Sequence, residues 1–243
     1  MKLRIKFRKY GAVRFIGHLD LMRFFQKMIR RADLDIAYSH GFSPHQIMSF
    51  AAPLGVGLES NGEYVDVEMN SITTSEDMIK RLNTASVDGV EILSIRMLPD
   101  DCKNAMASVA AASYTVSFRE GHEPKVDYRK ELPVFIEATE IPYEKETKKS
   151  THLLDLKPAI YDLSINENGS IYMLVNASSS GNIKPGMVLD AFLQKYGEKL
   201  SENVLLITRE DTYQLTEKAK KKPPEHLQKS DFVSMGEIGE IIG

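Results

Sequence analysis

The chain has 243 residues, 42% of them apolar and 27% charged, with a net charge of −3. These proportions exclude wholesale disorder, collagen and a coiled coil, and the length suits one large domain or two small ones. No run approaches the roughly 18 uncharged apolar residues of a membrane helix, and the start MKLRIKFRKY lacks the apolar core of a signal peptide, so a cytoplasmic protein without membrane contact is expected.

The lone cysteine, Cys102, excludes an intramolecular disulfide, a CxxC zinc site and a cysteine-ligated iron–sulfur cluster. No metal and no cofactor are expected. Charge is unevenly distributed. Residues 1–60 hold ten Lys or Arg against four Asp or Glu, a net of +6, so the remainder carries −9. A concentrated positive field attracts polyanions or acidic protein surfaces, unless it is only a solvated basic face.

In chain order, Leu3, Ile5 and Phe7 alternate with Lys2, Arg4, Lys6 and Arg8, the pattern of a half-buried strand with a basic outer face. A helix follows from about His18 to Ala32. Its apolar face carries Leu21, Met22, Phe25, Met28, Ile29 and Ala32, and its opposite face Arg23, Lys27, Arg30 and Arg31. Residues 34–38 resume an extended run before the loop SHGFSPHQ. Strands are expected at 47–58 and 63–69 across an ESNG turn at 59–62, then a helix over 75–85 capped by Thr74 or Ser75, then a strand at 89–98.

Residues 99–112 read as a linker or short helix. A second series follows: a strand at 113–119, helical spacing over 127–138 interrupted by Pro133, extended stretches 151–165 and 170–176 around INENGS, a helix at 186–196 and a strand at 203–209. The fold class expected is α+β, two tandem ferredoxin-like (βαββαβ-type) sandwiches with a flexible C-terminal tail. The boundaries are 1–98, a linker at 99–112, 113–210, and a lysine- and proline-rich tail at 211–243.

Chemistry concentrates in residues 14–50. Gly17-His18-Leu19-Asp20 opens the basic helix, and three of the six histidines, His18, His40 and His45, lie in this window. Three readings compete. Arg23, Lys27, Arg30 and Arg31 with Tyr38, Gly41, Phe42 and His45 suit polyanion binding, since single-stranded RNA is held by backbone contacts and base stacking. His18 and His45 suit general acid–base catalysis of metal-free RNA cleavage, if both reach one phosphate. His18, Asp20, His40 and His45 are metal-ligand types, but at no recognised zinc spacing. Against all three, His18 reads equally as a core histidine, and Tyr38 and Phe42 as core aromatics. In the second half, Lys148, Lys149 and Lys157 offer an anion surface or a basic hairpin edge, and SSSGNIKPG is no P-loop.

The stretch His18-Leu19-Asp20, then Tyr38-Ser39, Gly41-Phe42, Pro44-His45, then Phe50, Pro53-Leu54 and Val56-Gly57 resembles the radical-SAM-linked (radical-SAM-associated) proteins of bacteria, an uncharacterised family. Ser43 and Gln46 depart from that family's more frequent Asn and Pro, which bears on the rigidity of the loop. The resemblance implies an accessory protein rather than an enzyme, encoded beside a radical SAM enzyme and near genes for ribosomal proteins and an endoribonuclease. The chain lacks the CxxxCxxC of a radical SAM cluster. The expected function is therefore RNA binding, of tRNA or rRNA, on behalf of a radical SAM partner; the alternatives are a metal-independent ribonuclease and a protein-only adaptor.

Overall fold

The computed structural model describes residues 1–146 and 151–243, which form two compact units of α+β class. The first comprises Met1–Val109, Asp211–Gln214 and Val233–Gly243; the second comprises Ala110–Glu210 and Leu215–Phe232.

In the first unit, β1 (Lys2–Lys9) leads through a short 3-10 turn to α1 (His18–Arg31). Next come β2 (Met48–Phe50), β3 (Glu59–Glu68), α2 (Ser75–Ala85), β4 (Val90–Met97) and the single turn α3 (Ala105–Ser108). β1 pairs antiparallel with both β3 and β4, and β2 pairs antiparallel with β3, so the order is β4-β1-β3-β2. Leu3, Ile5 and Phe7 of β1 and Val65 and Val67 of β3 face α1 and α2, burying Leu21, Phe25, Met28, Ile29, Met78 and Leu82 in one core. The alternate residues face the other way, as the pleat requires. There Arg4, 2% exposed, forms a bidentate pair with Asp66 directly across the ladder, Nε and Nη2 lying 2.8 and 2.9 Å from the carboxylate.

The second unit contains β5 (Ala111–Phe118), α4 (Tyr128–Ile136), the hairpin β6 (Pro142–Glu146) and β7 (Thr151–Asp155), and β8 (Ile160–Ile165). β9 (Ile171–Asn176), α5 (Pro185–Lys195) and the start of β10 (Leu205–Leu215) complete it. β5 and β8 flank β9 antiparallel, and β10 lies on the far side of β5. By position along the chain, both units thus arrange four strands fourth–first–third–second.

Several expectations change. The ESNG stretch is no turn, because β3 runs straight through it with Ser60 paired to Lys9. The bend falls earlier, at Pro53–Leu58, where proline lacks an N–H and Gly57 takes φ +88°, a left-handed angle open to glycine. Pro133 does not interrupt its helix, which continues to Ile136. The expected strand 151–165 divides at a 3-10 turn over Lys157–Ala159.

The largest correction concerns residues 211–243, which are built into the units rather than trailing as a tail. Asp211 takes hydrogen bonds from Tyr64 (2.5 Å) and Ser234 (2.6 Å) and an ion pair from Lys6 (3.3 Å). Burial, reinforced by the Asp211 charge, pushes the Tyr64 phenol far above its ordinary range, so it stays a donor. Glu240 bridges to Met97, and Ile242 exchanges hydrogen bonds with Ser75 at the start of α2. In the second unit Asp231 accepts from Lys222 (2.6 and 2.9 Å) and from the Gln228 N–H (2.9 Å). Polar, lysine-rich composition resembles disorder, yet specific long-range partners hold this segment.

Two outcomes follow from these interactions. Gly239 sits at φ +87°, and a Cβ there would lie 2.3 Å from the Met97 carbonyl oxygen. Gly239→Ala is expected to release residues 233–243 to limited proteolysis while the preceding core stays folded. The Lys222 hydrogen bond, with that from Gln228, holds the Asp231 carboxyl below its ordinary value of 3.8. A carboxyl lowered on folding contributes stability above that value and loses it as pH falls through the folded value. The protection factors of residues 216–232, exchange rates taken relative to the intrinsic rate at each pH, are therefore expected to fall on acidification below the ordinary carboxyl value of 3.8, and Asp231→Asn to remove most of that change.

Candidate functional site

At about 100° per residue, α1 turns Leu21, Phe25, Met28 and Ile29 inward and leaves two flanks. One flank carries Phe24 and Arg31 and meets α2, where Arg31 donates from Nε and Nη2 to the Ala85 carbonyl (3.2 and 2.8 Å). The other carries Gln26, Arg30 and Arg23. The backbone fold of residues 34–47 docks on this second flank. Residues 35–37 extend the sheet beside Glu68–Asn70, and Tyr38 and Gln46 then pair antiparallel to close the loop 39–45.

Gln46 fastens that loop to the helix. Its side-chain Nε2 donates to the Gln26 carbonyl (3.3 Å) and to the Tyr38 hydroxyl (3.4 Å). Ser39 closes the other side: its N–H donates to the His45 carbonyl (2.8 Å), and its Oγ accepts the His45 N–H (3.1 Å) and lies 2.9 Å from His45 Nδ1. Gly41 makes the tip possible at φ +113°. Phe42 beside it is fully exposed, and Tyr38 is half exposed.

The candidate residues therefore divide. Arg23, Lys27 and Arg30 are exposed, together with Tyr38, Gly41, Phe42 and His45. Arg23 pairs with Asp20 (3.3 Å), whereas Lys27 and Arg30 have no ion-pair partner among the described residues. Arg31 is committed to α2. His18 lies elsewhere. Its ring packs edge-on to Phe50, with centroids 5.4 Å apart, at the first residue of α1. The loop attaches at Gln26, eight residues further and about 12 Å along the helix axis. Gln46, next to His45, is thus fastened at mid-helix, whereas His18 stands at the helix start. Asp20, in the first turn, also places a negative charge where an anion would bind.

Other features are structural. Lys9 is buried and donates to the Ile16 (2.9 Å) and Arg14 (3.4 Å) carbonyls; burial lowers its pKa, partly opposed by Glu63. Lys157 donates to the Ile136 carbonyl at the end of α4, and Lys148 and Lys149 lie outside the described residues. A cavity of about 250 Å³ in the first unit is lined by Lys2, Ser49, Asp66 and Asn104. One of about 900 Å³ in the second lies against Asp155, Asn182 and Lys184, by the SSSGNIKPG loop. Among the described residues no three His, Cys, Asp or Glu side chains gather as a metal site, and no helix is long and apolar enough to cross a membrane.

Fold and surface together define an α+β protein with an aromatic-tipped loop clamped beside a cationic helix flank. Over residues 2–185 the chain matches DUF2344, described as an uncharacterized protein conserved in bacteria, and it belongs to that family. No curated protein matches it.

The Gln46–Gln26 contact was missed by sequence reasoning, which read Gln46 only as a departure bearing on loop rigidity, since its partner lies 20 residues back. Gly41 was legible. Gly41→Ala forces a side chain into a left-handed angle and is expected to cost about 1–3 kcal/mol, measurable by denaturant unfolding. An unchanged midpoint would mean that the loop does not require this backbone.

Proposed function

We propose that this protein is an RNA-binding accessory module working in the cytoplasm beside a radical SAM enzyme, its two units each a ferredoxin-like sandwich. The strand order fourth–first–third–second in both units supports that description. The radical SAM partner rests on the resemblance carried by His18–Asp20, Tyr38–His45 and Phe50–Gly57.

The observation that carries RNA binding is the Gln46–Gln26 hydrogen bond. It holds the exposed Phe42 and Tyr38 beside the flank that bears Arg23 and Arg30, with Lys27 next along the surface. Cations that track phosphates beside rings that stack bases are the two ingredients of single-strand binding. The same anchoring argues against cleavage by His18 and His45. A shared phosphate requires both imidazoles within hydrogen-bond reach, and their attachments are separated by about 12 Å along α1. A protein-only adaptor would use the same exposed loop without needing the cations.

Affinity for unfractionated tRNA and for a single-stranded oligonucleotide, measured at two salt concentrations, tests the reading. Binding is expected to weaken steeply with salt. Lys27→Ala with Arg30→Ala should lower the log–log slope by about 0.7 for each phosphate that is no longer neutralised. Absence of binding at low salt overturns it.

A further inference from the structure

The cavity of about 900 Å³ in the second unit has two chemically distinct walls. One is the β6–β7 hairpin, where Tyr143 and Leu154 stand opposite each other across the ladder and so on the same face. Leu156, Pro158 and Met187 extend this apolar side. The other wall is the loop 176–184 between β9 and α5. Sites for small molecules occupy about 300–1,000 Å³ and join apolar walls to a few convergent polar groups. This cavity has both.

Its polar wall is held in shape by its own backbone. The Ile183 N–H donates to the Asn176 carbonyl (3.0 Å), and the Gly181 N–H to the Ser178 carbonyl (3.3 Å). Asn176 Oδ1 accepts both the Ser178 N–H (2.9 Å) and the Ser178 hydroxyl (2.7 Å). That fixes the amide with Nδ2 beside Gly181, where a Cβ would come within 2.8 Å of it. Asn176, Ser179, Asn182 and Lys184 can all donate from this one loop, and residues 176–184 include no carboxylate. Lys184 is exposed and has no ion-pair partner among the described residues. Two carboxylates line the cavity elsewhere. Asp155 Oδ1 already accepts the Ile141 and Lys157 N–H groups (2.8 and 3.0 Å), and Glu225 belongs to the segment after β10.

We propose that this cavity binds a small amphipathic anion, a phosphate or carboxylate head on an apolar body. Lys184 and the Asn176 amide hold the head, since an ionised acceptor strengthens each hydrogen bond it receives. The body lies against Tyr143 and Leu154 and removes their apolar surface from water. No residue of α1 takes part, so the site stands or falls apart from RNA binding.

The test uses the full chain and calorimetric titration with naphthyl phosphate, naphthoate, naphthol and inorganic phosphate. At least one of the two naphthyl anions is expected to bind about tenfold or more tighter than naphthol and than inorganic phosphate, the usual worth of one charge-assisted hydrogen bond. The tighter of the two identifies the head. Lys184→Gln, at an exposed position, should weaken that anion about tenfold and leave naphthol unchanged. Gly181→Ala, which displaces the Asn176 amide, should weaken it too. Lys27→Ala with Arg30→Ala should change nothing, which separates this site from the α1 flank. Naphthol or inorganic phosphate binding as tightly as the naphthyl anions overturns the assignment. Unchanged affinity in Lys184→Gln overturns it as well, as does loss of binding in the α1 double variant or no binding of any probe.

Discussion

The first unit depends on one aromatic interaction, the seating of Phe25 between Phe7 and Phe50. Phe25 lies 4.7 Å from the Phe7 ring and 5.3 Å from Phe50, and all three are buried. It joins β1, α1 and β2 at one point and so fixes both the height and the rotation of the helix. Aromatic packing of this kind adds about 0.5–1.5 kcal/mol per pair beyond area burial. With Phe25 inward, Arg23, Lys27 and Arg30 must face solvent, and Gln26 must face the returning chain. His18 lies against the same cluster through Phe50. Its half-buried ring stands edge-on to Phe50.

Charge in the first 60 residues gains a different meaning once its partners are known. Arg4, Lys6, Arg8, Arg14 and Arg23 are ion-paired, Lys9 is held by carbonyls, and Arg31 reaches Ala85. Only Lys2, Lys27 and Arg30 of the ten basic residues lack such a partner among the described residues. Three of the six excess positive charges are thus matched by carboxylates beyond residue 60, those of Asp66, Asp211 and Glu91, and on α1 the cations without an ion-pair partner among the described residues narrow to Lys27 and Arg30, with Arg31 held by a carbonyl. The Arg4–Asp66 pair illustrates why. Burying either charge alone would be costly, and register places the two opposite each other on β1 and β3.

Asp211–Gln214 of β10 and the last eleven residues belong to the first unit, although they are far from it in sequence. Asp211 is the polar centre of that return, with Tyr64, Ser234 and Lys6 around it. Each of these groups is ordinary in isolation. Together they satisfy one another away from water, which is how a hydrophilic segment becomes ordered without a large apolar face.

Periodicity and local cap chemistry determined the local elements: the alternation of Leu3, Ile5 and Phe7, the apolar face from Leu21 to Ile29, and a cap of α2 at Thr74 or Ser75, which the structure places on Thr74. These follow from interactions within a few residues, which sequence displays directly. The basic face of α1 was legible for the same reason. Where β3 begins, how residues 211–243 are held, and where the 39–45 loop meets α1 were decided only by tertiary structure. Each depends on a partner distant in sequence: Lys9 for Ser60, Tyr64 for Asp211, Gln26 for Gln46. Hydrogen-bond partners at such separations leave no periodic trace, because the bond selects a position in space and the intervening chain length is free.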